Sequence, residues 1–381
     1  MHETPRVLFL VHSEYPVGEP RVRRQADAAL EAGWDVTVFA LASEGSPVLE
    51  MVDGVRVVRS SIRRVRDMSA MGMVREYLGF ELAALRFCAR EPFADVVVVA
   101  NPPDFLVGAT IPQKLKGSRI LLDVHDLMTD LFESRMGSSR NSLRMRVLSL
   151  LERWSWRFAD QVLTVHAPYG DEILKRSGGR VSPLVVMNSA DPKFFSKRTI
   201  GPPPPYTVGY HGSIMVRYGV TDLVEAFASL LEVDPDSRLA LLGGGDGYPD
   251  VIAAARLAGV AHALDLSERM LPVETVVERI PEFHLGVVPN RPGGLNRFAL
   301  STKLLEYVAT GVPVVCAGLE TLRGHFDDDE VLFFEPGNPD DLAAKLVWAR
   351  AHQVEMNARA EKAHMRYTRD YGWDANKLVF L

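Results

Sequence analysis

Short apolar runs alternate with amphipathic helical segments along this chain, and the alternation constrains the fold more than any other feature. The first run, Arg6–Val11, is followed by a helix that Pro20 opens and Gly33 ends, and then by a second run, Asp35–Ala40. A strand, a helix and a strand in this order form a right-handed crossover in a parallel sheet. Because the alternation continues through most of the chain, we expect a doubly wound α/β architecture.

The same patterns predict the remaining elements. The further strands are predicted at Val55–Val58, Asp95–Ala100, Arg119–Asp123, Gln161–Val165, Leu184–Met187, Thr207–His211, Arg238–Leu242, Leu264–Leu266, Leu285–Pro289, Val312–Cys316 and Val331–Phe334. The further helices are predicted at about 68–89, Asp104–Leu115, Leu143–Phe158, a short stretch from Pro168, Thr221–Leu231, Asp250–Ala258, Val273–Arg279, Ser301–Ala309, Asp340–Arg350 and Gln353–Tyr371.

One irregular segment, Asn188–Pro205, interrupts the alternation and ends in the run GPPPP. Consecutive prolines suit neither a helix interior nor a central strand, and 381 residues exceed one ordinary core. We therefore expect a Rossmann-like domain over 1–190, a linker over 191–205 and a second Rossmann-like domain over 206–350. A helical segment over 351–381 is expected to pack back toward the N-terminal domain, and a cleft is expected between the carboxyl ends of the two sheets.

Composition excludes several classes of protein. Charged residues at 24%, hydrophobic residues at 47% and a net charge of -6 fit a soluble enzyme and give no reason to expect nucleic acid. Cys88 and Cys316 stand far apart in apolar surroundings, which favours reduced cytosolic thiols. The N-terminal run is predicted to be a strand and not a signal peptide, and no run approaches the roughly 20 apolar residues that span a bilayer. We expect a cytoplasmic protein.

Cofactor and metal motifs are weak. The glycine turn Gly243–Gly247 lacks the G-x-G-x-x-G spacing and the downstream acid of a dinucleotide site. Asp123 and His125, two residues apart, make a poor divalent site, and no cluster has metal-ligand spacing. We therefore expect neither a bound cofactor nor a metal.

The stretch Leu285–Val315 carries the clearest chemistry, since it reads as strand, open loop, helix and strand. In such a unit ligands bind where the loop leaves the carboxyl end of the strand, and the helix N-terminus offers N–H groups to an anion. Here those groups belong to Leu300, Ser301 and Thr302, and Lys303 adds a full charge. Glu306 follows one turn later: it either accepts hydrogen bonds from the vicinal hydroxyls of a ribose or only pairs with Lys303 on a solvated face.

Several motifs, in order and spacing, resemble the GT-B glycosyltransferases, in particular family 4, the retaining nucleotide-sugar transferases. They are Glu19–Arg24 with Ala32–Val38, Leu122–Asp126, Ala159–Val165, Met187–Asp191 with Phe194 and Phe195, Tyr210–Gly212 with Arg217–Gly219, Gly245–Gly247, and Lys303–Tyr307 with Gly311–Val314. The resemblance runs over nearly the whole chain. It implies a GT-B fold and transfer of a hexosyl group from a nucleotide-diphosphate sugar, most simply a UDP- or GDP-sugar, to an acceptor hydroxyl.

On the donor side, the resemblance assigns Glu306 to the ribose and implies a cation for the diphosphate. The family places an Arg and a Lys after the first strand of the second domain, where this chain has Ser213 and Tyr218, so the phosphate role passes to the neighbouring Arg217, with Lys303 as helper. The first Glu of the family's E-x7-E motif is replaced by Phe298. Gly212, Ser213 and Gly245 complete the expected donor contacts.

On the acceptor side, the resemblance places the N-terminal domain and His125 at the sugars. An imidazole at the end of a strand can donate to a sugar hydroxyl or stabilise charge, with Asp126 or Asp123 fixing its tautomer. The further candidates for acceptor contact are His12, Glu14, Arg21 and Asp126.

Two basic, apolar stretches, 59–75 and 140–157, have two interpretations. They are either surfaces that rest on anionic lipid and receive a lipid-linked acceptor, or core-packed helices with an ordinary charged face.

Two other functions fit the same fold. One is a nucleotide-sugar epimerase or a phosphorylase, although no residue marks a pyridoxal-binding lysine. The other is a non-catalytic subunit that binds nucleotide sugar, which the changes at Phe298 and Ser213 keep open.

Overall fold

A computed structural model describes residues 4–16, 18–64, 70–136, 142–199 and 201–381. The chain divides into two compact units, which we call the first unit (Met1–Asn188 with Asn376–Leu381) and the second unit (Ser189–Ala375). The second unit thus includes the proline-rich segment and most of the C-terminal helices.

The first unit is an eight-stranded sheet with helices on its faces. Its strands are β1 Arg6–Val11, β2 Asp35–Ala40, β3 Leu49–Val52, β4 Val55–Arg59, β5 Val96–Ala100, β6 Arg119–Val124, β7 Gln161–Thr164 and β8 Leu184–Val185. Its helices are α1 Pro20–Glu31, α2 Ala70–Arg90, α3 Ile111–Leu115, α4 Met128–Met136, α5 Leu143–Phe158 and α6 Ala167–Arg176, with a 3-10 segment at Asp104–Thr110. The strand order is β3-β4-β2-β1-β5-β6-β7-β8, parallel except for the β3–β4 hairpin.

The second unit is a six-stranded parallel sheet. Its strands are β9 Thr207–His211, β10 Arg238–Leu242, β11 Leu264–Ser267, β12 Leu285–Val288, β13 Val314–Ala317 and β14 Leu332–Phe334, in the order β11-β10-β9-β12-β13-β14. Its helices are α7 Val220–Val233, α8 Tyr248–Leu257, α9 Val273–Arg279, α10 Thr302–Thr310, α11 Glu320–Arg323, α12 Pro339–Ala351 and α13 Gln353–Arg366. Short 3-10 turns lie at Val216–Tyr218, Ala261–Ala263, Ile280–Glu282 and Gly294–Arg297.

The last helix, α14 Trp373–Phe380, ends in residues that belong to the first unit. Phe380 stacks on Phe9 of β1 with ring centroids 6.4 Å apart, and Lys377 pairs with Glu31 of α1. Asn376 accepts a hydrogen bond from the Met187 backbone over 2.9 Å.

The predicted fold class, two doubly wound Rossmann-like sheets, is confirmed. Strands β1, β2, β9 and β10 and helices α5 and α9 begin and end where the sequence predicts. Strand β3 and helices α4 and α11 were missed, and α14 was predicted only as part of the helical segment 351–381. Strand β3 alternates exposed and half-buried residues at a sheet edge and so lacks an apolar run, and α4 follows directly on the β6 loop.

Two paired glycines set the distance between the second sheet and its neighbours. Gly209 of β9 lies beside Gly286 of β12 in the parallel ladder. A Cβ at Gly209 would lie 2.1 Å from the ring of Phe283, and one at Gly286 would lie 2.7 Å from the ring of Tyr307. Because neither glycine carries a side chain, the Tyr307 ring packs directly on the sheet and brings α10 against it.

Candidate functional site

The order of the second sheet locates its binding edge. From β9 the chain proceeds to β10 and β11 on one side and to β12, β13 and β14 on the other. In such sheets the loops after the two strands that flank the reversal diverge and leave a crevice at their carboxyl ends. Here those strands are β9 and β12, so the loops after His211 and Val288 border the crevice.

Two cations share one aromatic ring at this edge. Lys303 Nζ lies 4.3 Å from the centroid of the Tyr218 ring, and Arg217 Cζ lies 4.7 Å from it. Arg217 also donates a hydrogen bond to the Tyr218 hydroxyl over 3.0 Å. In the part of the chain that the structure describes, neither cation has a carboxylate partner. We call Arg217 and Lys303 the cation pair.

Lys303 is held out of water. Its residue is only 9% exposed, and a second ring, that of Tyr210, lies 5.4 Å from its Nζ. Burial lowers the pKa of Lys303, the nearby Tyr218 and Glu306 oppose that shift, and the charge of Arg217 adds to it. Gly212, with a φ of 95°, makes room for the stem, because a Cβ there would lie 2.9 Å from Lys303 Cε. An enclosed positive charge that makes no ion pair is a site for an anion.

The helix α10 presents its N-terminus to the same crevice. Its N-cap residue, Ser301, has an extended backbone, and the serine side chain makes no capping hydrogen bond. The first N–H groups of the helix, from Thr302 onward, are therefore not satisfied by a side-chain cap, and the helix dipole adds partial positive charge there.

Glu306 pairs with a histidine that the sequence did not suggest. Its Oε2 lies 2.5 Å from Nε2 of His211, the last residue of β9. The His211 ring packs edge-on against Tyr307 at 4.8 Å, and the Tyr307 hydroxyl donates to the Gly209 carbonyl over 3.0 Å. The Glu306 side chain keeps 19% exposure. It is thus oriented by His211 while part of the carboxylate faces solvent.

The polar face of α10, which Lys303, Glu306 and Tyr307 share, is only partly solvated. Tyr307 is fully buried and Lys303 nearly so, whereas an isolated helix would display both with Glu306. The glycines at Gly209 and Gly286 explain the difference, since they let α10 press its Tyr307 face onto the sheet.

The other donor-side candidates lie on interlocked loops. A Cβ at Gly243 would lie 1.8 Å from the Gly212 carbonyl, and one at Gly245, whose φ is 148°, would lie 2.4 Å from the Ile214 carbonyl. Ser213 is half-buried, and its carbonyl accepts from the Tyr210 hydroxyl over 2.6 Å. Leu300 is half-buried, and Thr302 is exposed at the start of α10.

A cavity of about 340 Å³ lies beside the cation pair, between α7 and α8, and neither cation lines it. Its one basic residue, Arg291, is neutralised by Asp222, and Glu225 and Asp250 add negative charge. The cation pair, and not this larger cavity, therefore offers the anion site.

In the first unit, His125 follows β6 and lies 3.2 Å, Nε2 to Oδ2, from the buried Asp123. Asp123 also accepts two hydrogen bonds from Arg21, each 2.8 Å long, and one from Gln25 over 2.6 Å. Burial alone would raise the pKa of Asp123, but the charges of Arg21 and His125 outweigh it and hold that pKa far below its usual range. Asp123 therefore stays ionised and orients the imidazole.

Arg21 is enclosed instead of facing a ligand. Only 3% of the residue is exposed, and its remaining donor bonds the Val186 carbonyl over 2.7 Å. All of these partners belong to the first unit, and the position of Arg21 supports a role in holding Asp123; its acceptor contact stays a prediction.

Asn101, at the end of β5, fixes the loop of His125. Its Oδ1 accepts from the His125 backbone over 2.5 Å, and its Nδ2 donates to the Asp126 carbonyl over 2.6 Å. The half-buried Asp126 is thus held by its main chain. Asn101 was not among the residues predicted from the sequence, although its place after a strand next to β1 was a usable signal.

His12 and Glu14 follow β1 but do not share a setting. His12 is 6% exposed, between the rings of Tyr77 and Phe80, with Nε2 3.2 Å from Glu76 Oε1. Burial, with a smaller effect of Arg64, lowers the pKa of His12 to about 4. Glu14 is exposed. A buried, neutral His12 is placed to pack, and Glu14 to meet solvent.

Among the described residues, no three His, Cys, Asp or Glu side chains come together so as to hold a metal ion. No helix in that part of the chain combines the length and apolar content that crossing a bilayer requires. Cys88 and Cys316 are both buried and free.

Comparisons with known proteins bear on the whole chain. Residues 18–189 match the model of a glycosyl transferase 4-like domain, and residues 205–351 match the model of the glycosyl transferases group 1. No curated relative matches the chain. Among solved structures, sucrose-phosphate synthase from Thermosynechococcus elongatus superposes with a TM-score of 0.76 at 17% identity, over 99% of this chain and 97% of that one.

Two further structures were solved with nucleotides. HepE from Anabaena, in complex with UDP and glucose, gives a TM-score of 0.71 at 14% identity, with 98% of each chain covered. The catalytic domain of starch synthase IV from Arabidopsis thaliana, bound to ADP and acarbose, gives a TM-score of 0.73 at 13% identity, with 99% of this chain and 98% of that one covered. With both domain models matched in order on two Rossmann-like units, the chain belongs to the GT-B glycosyltransferases.

Proposed function

We propose that this glycosyltransferase moves a hexosyl group from a nucleotide-diphosphate sugar to an acceptor hydroxyl with retention of configuration. The observation that carries the donor half is the cation pair, two positive charges without a carboxylate partner at the binding edge of the second sheet. Retention and the hexosyl group rest on the motif resemblance to family 4.

The diphosphate is assigned to the cation pair and to the N-terminus of α10. Negative charge grows on the leaving diphosphate as the glycosidic bond breaks, so fixed positive groups stabilise the transition state more than the ground state. Because Lys303 is buried and already desolvated, its charge acts strongly on a nearby phosphate. Arg217 is half-buried and adds a planar group of donors.

The ribose is assigned to Glu306. The two oxygens of a carboxylate that a histidine orients can accept hydrogen bonds from two vicinal hydroxyls. Starch synthase IV and HepE were solved with ADP and UDP, both ribonucleotides, which supports a ribonucleoside diphosphate as the donor's leaving group here.

His125 is assigned to the sugars. Its Nε2 faces Asp123, which favours the tautomer with the proton on Nε2. The ring therefore offers Nδ1 to a sugar hydroxyl, as an acceptor when the imidazole is neutral and as a donor when it is protonated. We further propose that the reaction needs no metal, since the cation pair can supply the charge that a divalent ion supplies elsewhere. In that case EDTA leaves turnover unchanged.

Donor turnover tests the proposal. Release of nucleoside diphosphate from a panel of UDP- and GDP-sugars should fall by at least tenfold in Arg217→Gln and in His125→Ala, and stay unchanged in Arg256→Gln. Arg256 is an exposed arginine on α8 outside the site, which makes it the matched control for loss of one charge. Wild-type turnover in both site variants would refute the assignment, and the anomeric configuration of the product, read by NMR, tests retention.

We also propose that the first unit meets its acceptor at an anionic lipid surface. Helix α5 exposes Leu143, Val147, Leu150 and Trp154, which the spacing of four, three and four residues places on one face. Its arginines include Arg144, Arg146, Arg153 and Arg157, while its one acidic residue, Glu152, is fully buried. Helix α2 exposes a second row, Val74, Leu78 and Leu82.

This combination suits the boundary of a bilayer, where apolar side chains enter and arginines meet phosphate headgroups. Residues 65–69 and 140–141 of the two basic stretches lie outside the described residues. Flotation with vesicles containing anionic lipid at low salt should carry the wild type upward and leave Leu150→Asp behind. Equal flotation of both proteins, or flotation of neither, would contradict the proposal.

A further inference from the structure

A second cavity lies at the opposite end of the second sheet, at the amino ends of its strands. We call it the base cavity, because it lies at the base of the sheet and not because it binds a nucleobase. It has a volume of about 140 Å³ and is lined by Arg198, Tyr206, His284, Gln353 and Asn357, among others. Tyr206 and His284 stand just before β9 and β12, so the cavity opens at the amino ends of the strands whose carboxyl ends border the cation pair. It is therefore separate from the proposed donor site.

The charge at the base cavity is positive. Arg198 donates to the Phe283 carbonyl over 2.6 Å but has no ion pair within the described part of the chain. Burial lowers the pKa of Arg198. Burial also lowers the pKa of His284, and the positive charges of Arg198 and Arg350 lower it further. No described residue that lines the cavity is acidic. The nearby Arg350 is already neutralised by Asp234, Nε to Oδ2 at 2.6 Å.

Neutral hydrogen-bond donors complete the lining. Tyr206 is only 6% exposed, and its hydroxyl has no hydrogen-bond partner among the residues described. Burial raises the pKa of Tyr206, so the hydroxyl keeps its proton and can donate. His284 Nδ1 accepts from the Thr207 backbone over 3.1 Å, which leaves the ring proton on Nε2. A hydroxyl at a cavity wall that no described residue pairs with can donate its proton to an oxyanion ligand.

The helix α13 adds to the positive potential. It begins at Gln353, which lines the cavity, and its N-cap residue, His352, makes no side-chain capping bond. Asn357, one turn later, lines the cavity with a side-chain amide. The helix dipole thus points its positive end toward the lining residues.

We propose that the base cavity binds a small oxyanion, namely inorganic phosphate or the phosphate group of a monoester. Arg198 supplies the full charge and directional donors, and the Tyr206 hydroxyl supplies a neutral donor. The volume far exceeds the ~10–15 Å³ that one water needs, so a phosphate group fits. This site does not depend on the proposed donor site.

Phosphate titration of the full chain tests the site, with chloride at equal ionic strength as the blank. In calorimetry on Lys303→Met, in which the cation pair is weakened, phosphate binding should persist. Adding Arg198→Ala should weaken that binding by at least roughly tenfold, as expected for a lost hydrogen bond to a charged group. Tyr206→Phe, which keeps the ring packing, should weaken it by a smaller factor, and Arg256→Ala should leave it unchanged.

Three results would overturn the inference. The first is that Lys303→Met alone removes all phosphate binding, which would assign the anion to the donor site. The second is that Arg198→Ala and Tyr206→Phe, both shown to be folded by thermal unfolding without phosphate, bind phosphate as before. The third is that no protein binds phosphate, in which case Arg198 only anchors its segment to the Phe283 carbonyl. A glucose phosphate tested beside inorganic phosphate distinguishes a monoester from the free ion.

Discussion

Replacing Lys303 with methionine should separate the stability of the second unit from its affinity for a nucleoside diphosphate. The ammonium is enclosed and makes no ion pair with a described residue. Two rings at 4.3 and 5.4 Å and the nearby charge of Glu306 compensate its burial in part. Cation–π contacts contribute about 0.5–2 kcal/mol, whereas enclosing a charge costs several kcal/mol. Methionine keeps the apolar stem against Gly212 and removes the charge.

The expected gain in unfolding free energy is therefore about 1–3 kcal/mol, from the difference of these opposing contributions. For a unit of this size each kcal/mol raises Tm by roughly 2–4 °C. The same substitution removes a charged donor to the diphosphate, worth about 1.5–3 kcal/mol, so the Kd for UDP or GDP should rise by roughly 10- to 150-fold.

Thermal unfolding without nucleotide and calorimetric titration with nucleotide measure the two effects on one protein. Lys345→Met is the matched control, since Lys345 on α12 is partly exposed and lies 3.8 Å from Asp341. It should change neither quantity appreciably. A Lys303→Met protein that melts earlier than the wild type and binds nucleotide equally well would refute the reasoning.

The remaining predictions concern stability. Asp123→Asn leaves the Arg21 guanidinium buried without its carboxylate and should lower the unfolding free energy by about 3–5 kcal/mol in urea; a loss below 1 kcal/mol would contradict this. Glu81 has its pKa raised by burial to about 7 from 4.5, so its ionised form destabilises the fold increasingly as pH rises through that window. The unfolding free energy of Glu81→Gln should thus exceed that of the wild type by up to about 3 kcal/mol at pH 8 and by nothing at pH 4. A difference between the two proteins that does not change with pH would contradict this prediction. Gly209→Ala places a Cβ 2.1 Å from the Phe283 ring and should destabilise by at least about 1–3 kcal/mol in the same urea assay, so a neutral variant would count against the packing described.

The sequence predicts the sheets well because each strand is an apolar run of the right length between turn residues. Helix α10 also follows from its pattern, and Lys303 and Glu306 were found as its polar residues. The partner of Glu306 was not predicted, because neither interpretation of Glu306 paired it with His211. That contact depends on two glycines, Gly209 and Gly286, which let α10 approach β9, and a one-dimensional pattern does not report such a distance.

The cation pair shows the same limit. The sequence selects Arg217 and Lys303 by charge and by family position, but Tyr218 enters only as a departure from the motif. In the fold the Tyr218 ring lies under both cations and holds them at one place. Arg21 shows the reverse case, since a motif arginine that suggested a ligand contact is buried on Asp123, a residue 102 positions away.

The most direct test of the central claim is nucleotide binding at the second unit, measured by calorimetry with UDP, GDP, ADP and dTDP. We predict that at least one ribonucleoside diphosphate binds, that Glu306→Ala weakens it by tenfold or more, and that the matched change of the exposed Glu232 to alanine does not. A bound ribonucleotide whose affinity is unchanged by Glu306→Ala, or no binding of any of the four, would contradict the assignment of the crevice between β9 and β12 as the donor site.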